Sequence, residues 1–84
     1  MRRRKVATEI RNAAREWAER ADGEDDPHLA STYRSDAEDL RKVARLVDDG
    51  RFRRARDAAG LDTIVHDQLP ESFFDLLKKH GVAW

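Results

Sequence analysis

Cysteine is absent from this chain, and its 84 residues include only two prolines and four glycines. Without cysteine there are no disulfide bonds, no zinc sites built on thiolates and no cysteine nucleophile, and the composition is typical of a reducing compartment. No apolar run approaches the roughly 18 residues that a membrane span needs. The basic start is not followed by the apolar stretch of a signal peptide. We therefore expect a cytoplasmic protein without membrane contact.

Net charge is also absent, because 17 Lys and Arg residues balance 17 Asp and Glu residues. The zero is a sum of blocks: residues 1–21 carry +4, residues 22–50 carry −5, residues 51–60 carry +3 and residues 61–84 carry −2. Such blocks either hold complementary segments of one fold together or present separate charged patches to partners.

The length limits the core that the chain can form. Eighty-four residues make one domain, residues 1–84. A chain of this size buries only about 60–65% of its unfolded surface, and 40% of these residues are charged. Small chains with thin cores often gain stability by self-association. A homodimer and a monomer are both open at this point.

Apolar residues at spacings of three and four predict two long helices. Val6, Ile10 and Trp17 place one helix at residues 3–21, and residues 22–26 form an acidic turn. Asp26 as N-cap and Pro27 as first helical residue then open a helix at 27–49 that Gly50 ends. An alternative start lies at Asp36, because Ser35 and Glu38 have capping-box spacing. A short turn makes the two helices antiparallel, which brings the basic residues 2–5 near Asp48 and Asp49.

The second half of the chain continues the helical pattern. Phe52, Ala55 and Ala59 begin a stripe over residues 52–68 that shifts at Gly60. The segment is either one kinked helix or two short helices, with Gly60 ending the first and Asp62 capping the second. Residues 71–80 form the last helix, with Gly81 in a left-handed conformation and Val82 closing a Schellman motif. The fold class is therefore all-α, a small bundle of three to four helices built from antiparallel helical hairpins.

Two basic segments are candidates for binding an anionic partner. Four arginines, Arg51, Arg53, Arg54 and Arg56, lie within six residues, and Arg2, Arg3 and Arg4 form a second basic element at the start of the chain. Arginines at this density contact phosphates, and the affinity of such contacts falls with salt. The competing interpretation is a solvated helix face that answers the acidic block of residues 22–50. No recognition-helix motif and no array of base-stacking aromatic residues accompanies these arginines.

The C-terminal segment is the candidate for contact with a protein partner. Phe73, Phe74 and Trp84 are half of the six aromatic residues, and Leu77 lies on an adjacent face of the same short helix. A helix that is apolar on adjacent faces is either deeply buried or meets a partner. We therefore weigh Phe73, Phe74, Leu77 and Trp84 as a self-association or partner surface against a place in the core of the monomer.

Metal and catalytic sites have little support. Asp62 and His66 are four residues apart on a helix, but two ligands do not make a site and no third is evident. His80 suits the negative end of a helix dipole, and His28 lies near a helix start. The chain offers no nucleophile–base–orienter arrangement and no glycine-rich phosphate loop. We expect a protein that is not an enzyme and that needs no cofactor or metal.

Residues 40–62 resemble part of a tetratricopeptide repeat. In both, an amphipathic helix ends at a glycine, here Gly50, and Phe52, Ala55, Ala59 and Asp62 follow at the spacing of that family. The resemblance implies a helical hairpin whose small alanines let the two helices pack closely. In size, in its bias towards Arg, Asp and Ala, and in the segment from Leu61 to Pro70, the chain is similar to small proteins of actinobacteria and their phages.

The sequence thus favours a non-enzymatic helical module for protein–protein interaction, an adaptor, inhibitor or regulator that self-associates and is phage-like in composition. The alternative is a small nucleic-acid-binding protein that uses the arginine cluster at 51–56 together with the basic N-terminus. The two hypotheses use different surfaces, the C-terminal aromatic residues in the first and the arginines in the second.

Overall fold

Five helices make up the part of the chain that the structure, a computed structural model, describes: residues 2–60 and 63–83, with the backbone alone at 63 and 64. They are α1 (Arg3–Asp22), α2 (Pro27–Asp48), α3 (Phe52–Gly60), α4 (Thr63–Gln68) and α5 (Glu71–Lys79). The described residues contain no β-strand. The all-α fold class predicted from the sequence is confirmed.

The first two helices form the antiparallel hairpin that sets the length of the molecule. Arg11 Nη2 on α1 lies 2.5 Å from Asp48 Oδ2 near the end of α2, and Arg34 Nη2 lies 3.7 Å from Asp22 Oδ1 at the opposite end. These pairs fix the relative direction of the two helices. A helix of about 20 residues is about 30 Å long, and the whole fold measures 42 × 21 × 19 Å.

The start of α2 follows the predicted cap. The Asp26 side chain accepts a hydrogen bond from the His28 amide at 2.9 Å, and Pro27 is the first helical residue. The helix then runs without interruption to Asp48, so the alternative start at Asp36 is wrong. Ser35 and Glu38 have the spacing of a capping box, yet they lie inside a helix that its apolar face already holds in place.

Two glycines end helices in the same way. Gly50 and Gly81 have φ angles of 74° and 72°. The Arg51 amide donates to the Leu46 carbonyl at 2.9 Å, and the Val82 amide donates to the Leu77 carbonyl at 2.9 Å. These are the long hydrogen bonds of Schellman motifs, and both require the left-handed conformation that glycine adopts without strain. The predicted motif at Gly81 is confirmed.

The range 52–68 contains two helices, so of the two alternatives the pair of short helices is correct and the single kinked helix is wrong. The first ends at Gly60 and the second begins at Thr63. Glycine is about 1 kcal/mol less favourable than alanine inside a helix, so a helix boundary there has little cost. Asp62, the predicted cap of the second helix, and Leu61 lie outside the described residues.

One apolar core lies between the hairpin and the three short helices. The predicted stripes supply it, except that Leu29 is 40% exposed and the side chain of Ala13 is half-buried. The largest fully buried side chains are those of Val6, Ile10, Leu40, Val43, Val47, Val65, Phe73, Leu76 and Leu77. Between α1 and α5, the Ser72 hydroxyl donates a hydrogen bond to the Glu9 carboxylate. The core and this hydrogen bond therefore hold α5 against α1, and the packing fixes the relative positions of the five helices.

Candidate anion-binding surface

The two basic segments of the sequence meet at one end of the molecule. A methyl group placed on Gly50 would lie 3.0 Å from Arg3 Nη1, so the start of α1 is in contact with the loop that leads into α3. Seven exposed residues surround this contact, and we call them the basic end: Arg2, Arg3, Arg4, Lys5, Arg51, Arg53 and Arg54. Six of the seven belong to the basic residues weighed from the sequence, and the structure brings them together.

The Schellman motif at Gly50 is what positions the arginines of α3. It turns the chain within two residues, so that Arg51 follows α2 directly and α3 starts at Phe52. The Phe52 ring is half-buried and stacks on the His80 ring, with centroids 4.3 Å apart and planes 27° apart. This stack anchors the first turn of α3 against the end of α5, so that Arg53 and Arg54 project from a fixed helix.

Arg56 does not belong to this surface, which corrects the predicted cluster of four. Its side chain is half-buried, Nη2 lies 3.0 Å from Asp57 Oδ1, and Nη1 donates to the Ala83 carbonyl oxygen at 3.0 Å. These bonds use the guanidinium to hold the C-terminal segment against α3. The contact is structural, so Arg51, Arg53 and Arg54 are the members of the predicted cluster that lie at the basic end.

Basic residues outnumber acidic residues at the basic end. The predicted nearness of residues 2–5 to Asp48 and Asp49 agrees with the contact between Arg3 and Gly50, the residue after Asp49, while Asp48 itself pairs with Arg11. Asp49 is exposed at the end of α2. The first turns of α1 and α3 contain no acidic residue. The local charge is therefore strongly positive although the chain is neutral.

The acidic turn at residues 22–26 lies at the other end of the hairpin. Arg3 and Asp22 are the two ends of α1, which makes them about 30 Å apart. Charges separated by more than the Debye length, about 8 Å at physiological salt, are largely screened from each other. A ligand at the basic end therefore meets a field set by the local arginines and not by the net charge.

The C-terminal aromatic surface also needs correction. Phe73 is 0% exposed and Leu77 is 1% exposed, since both point into the core between the hairpin and the short helices. Phe74 is half-buried, with its ring 5.2 Å from the His66 ring. Trp84 lies outside the described residues. Phe73 and Leu77 are thus used within the core of the single chain, as the competing interpretation expected of them.

The histidines do not assemble a metal site in the described part of the chain. His66 Nδ1 lies 3.4 Å from Asp67 Oδ1, and its ring contacts Phe74. Asp62, the partner considered from the sequence, lies outside the described residues. No group of three or more His, Asp or Glu side chains that could hold a metal ion occurs among the described residues.

Sequence reasoning missed a second set of basic residues, on α2. Arg41, Lys42 and Arg45 are exposed, and shallow grooves flank them on both sides. Their signal was present in the sequence, because residues four apart lie on one helix face. It was hidden by the negative charge sum of residues 22–50, in which nine acidic residues outnumber four basic ones.

No family model, curated protein or solved structure matches this chain. The resemblance of residues 40–62 to a tetratricopeptide repeat therefore stays a prediction. None of the helices in the described ranges combines the length and the apolar composition that crossing a bilayer requires.

Proposed function

We propose that this chain is a small, non-enzymatic helical protein that binds the phosphate backbone of nucleic acid through its basic end. The observation that carries the proposal is the contact between Arg3 and the Gly50 loop. It unites two segments that are almost 50 residues apart in the sequence. Neither segment alone gives more than a local cluster, whereas together they place seven exposed basic residues at one end of the molecule.

The chemistry of the surface favours phosphate. Six of the seven side chains are arginines, whose planar guanidinium groups bind phosphate oxygens with two parallel hydrogen bonds. The helix starts at Arg3 and Phe52 lie at the same end, and helix N-termini favour anions. Lys78 and Lys79 end α5 next to His80, beside the same loop.

The surface supports recognition of the backbone and not of bases. Of the described Phe, Trp and Tyr residues near it, Phe52 is half-buried, and the His80 ring covers one of its faces. Contacts to phosphates position a protein without conveying sequence information. We therefore expect sequence-independent binding, with a dissociation constant of about 1–100 μM at physiological salt.

The protein-interaction hypothesis has less support from the geometry. It depended on Phe73, Phe74, Leu77 and Trp84, and two of these side chains are buried in the core. The prediction of a homodimer now rests on the small size of the chain alone. Sedimentation at several concentrations measures it independently of the arginines.

The test is a titration of a fluorescent DNA duplex of about 16 base pairs, followed by anisotropy from about 25 to 200 mM salt. The wild-type protein should bind more weakly as salt rises. The variant Arg51→Ala/Arg53→Ala should lower the slope of log K against log salt by about 1.8, because each phosphate contact adds about 0.9.

The matched control is Arg20→Ala/Arg34→Ala, which removes the same charge near the acidic turn. It should leave the slope unchanged. If both double variants lose the same affinity, the effect is one of net charge and the basic end is not the site. Equal affinity for a polyglutamate chain of similar length would replace nucleic acid with an acidic protein as the partner. No binding at the lowest salt would refute the proposal.

A further inference from the structure

We infer that the bound backbone does not stop at the basic end but continues along α2, over a track formed by Arg54, Lys42, Arg41 and Arg45. This inference rests on the proposed function and defines its ligand: an extended strand of phosphates and not a single phosphate group. Apart from Arg54, the residues of the track lie outside both segments that the sequence analysis identified.

The basic residues of the track are available for binding. Arg41, Lys42 and Arg45 are all exposed. In the described part of the chain, the ion pairs of arginine involve Arg11, Arg34 and Arg56, and none of the three α2 residues takes part in one. Long basic side chains without an ion pair are free to turn towards phosphates.

The track is continuous with the basic end, because neighbouring depressions share residues. Arg54 lines the depression around Gly50 and Arg53, and it also lines the groove between α2 and α3. Lys42 forms the opposite wall of that groove. Arg41 and Arg45, on either side of Lys42 along α2, line the groove between α2 and α1 with Arg11.

Two of the acidic residues along the track are compensated by ion pairs. Asp57, in the groove with Lys42, pairs with Arg56, and Asp48 pairs with Arg11. Glu38 borders the groove at its far end, beyond Arg41. Asp49 is exposed where the basic end meets α2. The two paired carboxylates add little negative potential, so the stretch from Arg54 to Arg41 remains net positive.

The helix geometry sets the length of strand that fits. From Gly50 back to Arg41 is nine residues, or about 14 Å of α-helix. The basic end adds about the width of one helix, about 10 Å. In a base-stacked strand, whose phosphates recur every 3.4 Å along the helix axis as in B-form DNA, about 24 Å corresponds to about seven phosphates. A ligand shorter than this leaves part of the track empty.

The experiment measures the affinity of the protein for single DNA strands of about 4, 8 and 16 nucleotides in 0.1 M salt. The affinity should rise steeply from about 4 to 8 nucleotides. Beyond that length it should increase only slightly, because a longer strand offers more overlapping positions at which the protein can bind. The variant Arg41→Ala/Arg45→Ala should bind the shortest strand as the wild type does. It should bind the 16-nucleotide strand more than about tenfold more weakly, with a salt slope lower by about 1.4.

Two further variants separate the track from general effects. Arg20→Ala/Arg34→Ala removes equal charge off the track and should bind every length as the wild type does. Arg41→Lys/Arg45→Lys keeps the charge and should restore most of the affinity for the long strand. If Arg41→Ala/Arg45→Ala binds the long strand as tightly as the wild type, the track is wrong while the basic end stands. If the wild type binds no length, the proposed function itself fails.

Discussion

Replacing Gly50 with alanine tests both the turn that brings the arginines together and the contact between Arg3 and the loop. At a φ of 74°, an added Cβ is strained, and the left-handed conformation costs an ordinary residue about 1–2 kcal/mol. The new methyl group also meets Arg3 Nη1 at 3.0 Å. Because this atom is the end of a flexible, exposed side chain, we expect Arg3 to move at little cost.

Gly81→Ala is the matched control, since its φ is 72° and nothing lies within 4 Å of an added Cβ. Both variants should lose about 1–2 kcal/mol of unfolding free energy in urea titrations followed by far-UV circular dichroism. The chain as a whole has about 4–13 kcal/mol. The melting temperature should fall by about 4–8 °C for each kcal/mol. Gly60→Ala should instead gain about 0.5 kcal/mol, because Gly60 is helical, has no positive φ and has open space around it.

The comparison between the two glycines decides the argument. Equal losses mean that backbone strain alone sets the cost and that Arg3 yields. A loss at Gly50 that is several kcal/mol larger than at Gly81 would show that Arg3 is held rigidly. A wild-type stability for Gly50→Ala would contradict the left-handed turn itself, and with it the positioning of Arg51 and α3.

Two other substitutions test the fold. Leu40→Ala should lower the free energy of unfolding by about 2–5 kcal/mol in a urea titration, because Leu40 is 0% exposed in the centre of the core. Leu29→Ala, at a side chain that is 40% exposed, should change it by no more than about 0.5 kcal/mol. Equal losses in the two variants would contradict the assigned core. Asp26→Ala should cost about 1 kcal/mol by removing the cap on the His28 amide, whereas Asp25→Ala removes the same charge without that bond and should cost less, as thermal melts will measure.

The fold was largely predictable because its signals are local. The apolar spacing of α1, the Asp26–Pro27 start of α2 and the glycine at the end of α5 each depend on residues within one or two turns. Gly60 left two outcomes open, since a helical glycine and a terminal glycine differ by about 1 kcal/mol, and packing decides between them. Leu29 shows that the apolar period alone does not decide burial. It continues the apolar period of α2, but it lies beyond the elements that cover the rest of the stripe.

The site was only half predictable, because it depends on contacts between distant segments. The sequence identified both arginine segments but gave no means of knowing that Arg3 lies beside Gly50 or that Arg56 bonds to the Ala83 carbonyl. The track on α2 was hidden for a different reason. A charge sum over residues 22–50 combines side chains from different faces of α2. A ligand contacts one face only, so the charges on that face decide how it is attracted.

Asp36 illustrates the same point within the core. It lies four residues before Leu40 and seven before Val43, and it is 3% exposed. Its position in the helical period predicted this burial, but its place next to Ser35 made it look like part of a helix start. Where a capping signal and the apolar periodicity predict different helix starts, the longer apolar stripe decides where the helix begins. Burying its side chains stabilises the helix more than a single N-cap does.

The placement of the arginines is difficult to explain by folding alone. A basic residue in the first turn of a helix opposes the helix dipole, at a cost of about 0.3–1 kcal/mol each. Arg3, Arg4 and Lys5 begin α1, and Arg53 and Arg54 follow the first residue of α3, with no acidic residue in either first turn. In a chain with about 4–13 kcal/mol of total stability, this cost is considerable. An anion bound between the two helix starts turns this cost into a favourable interaction, because the helix dipoles and the basic side chains then both attract the anion. The neutral net charge is compatible with this argument, since the four carboxylates of the acidic turn at residues 22–26 lie about 30 Å away, where they add to the charge balance without weakening the field at the basic end.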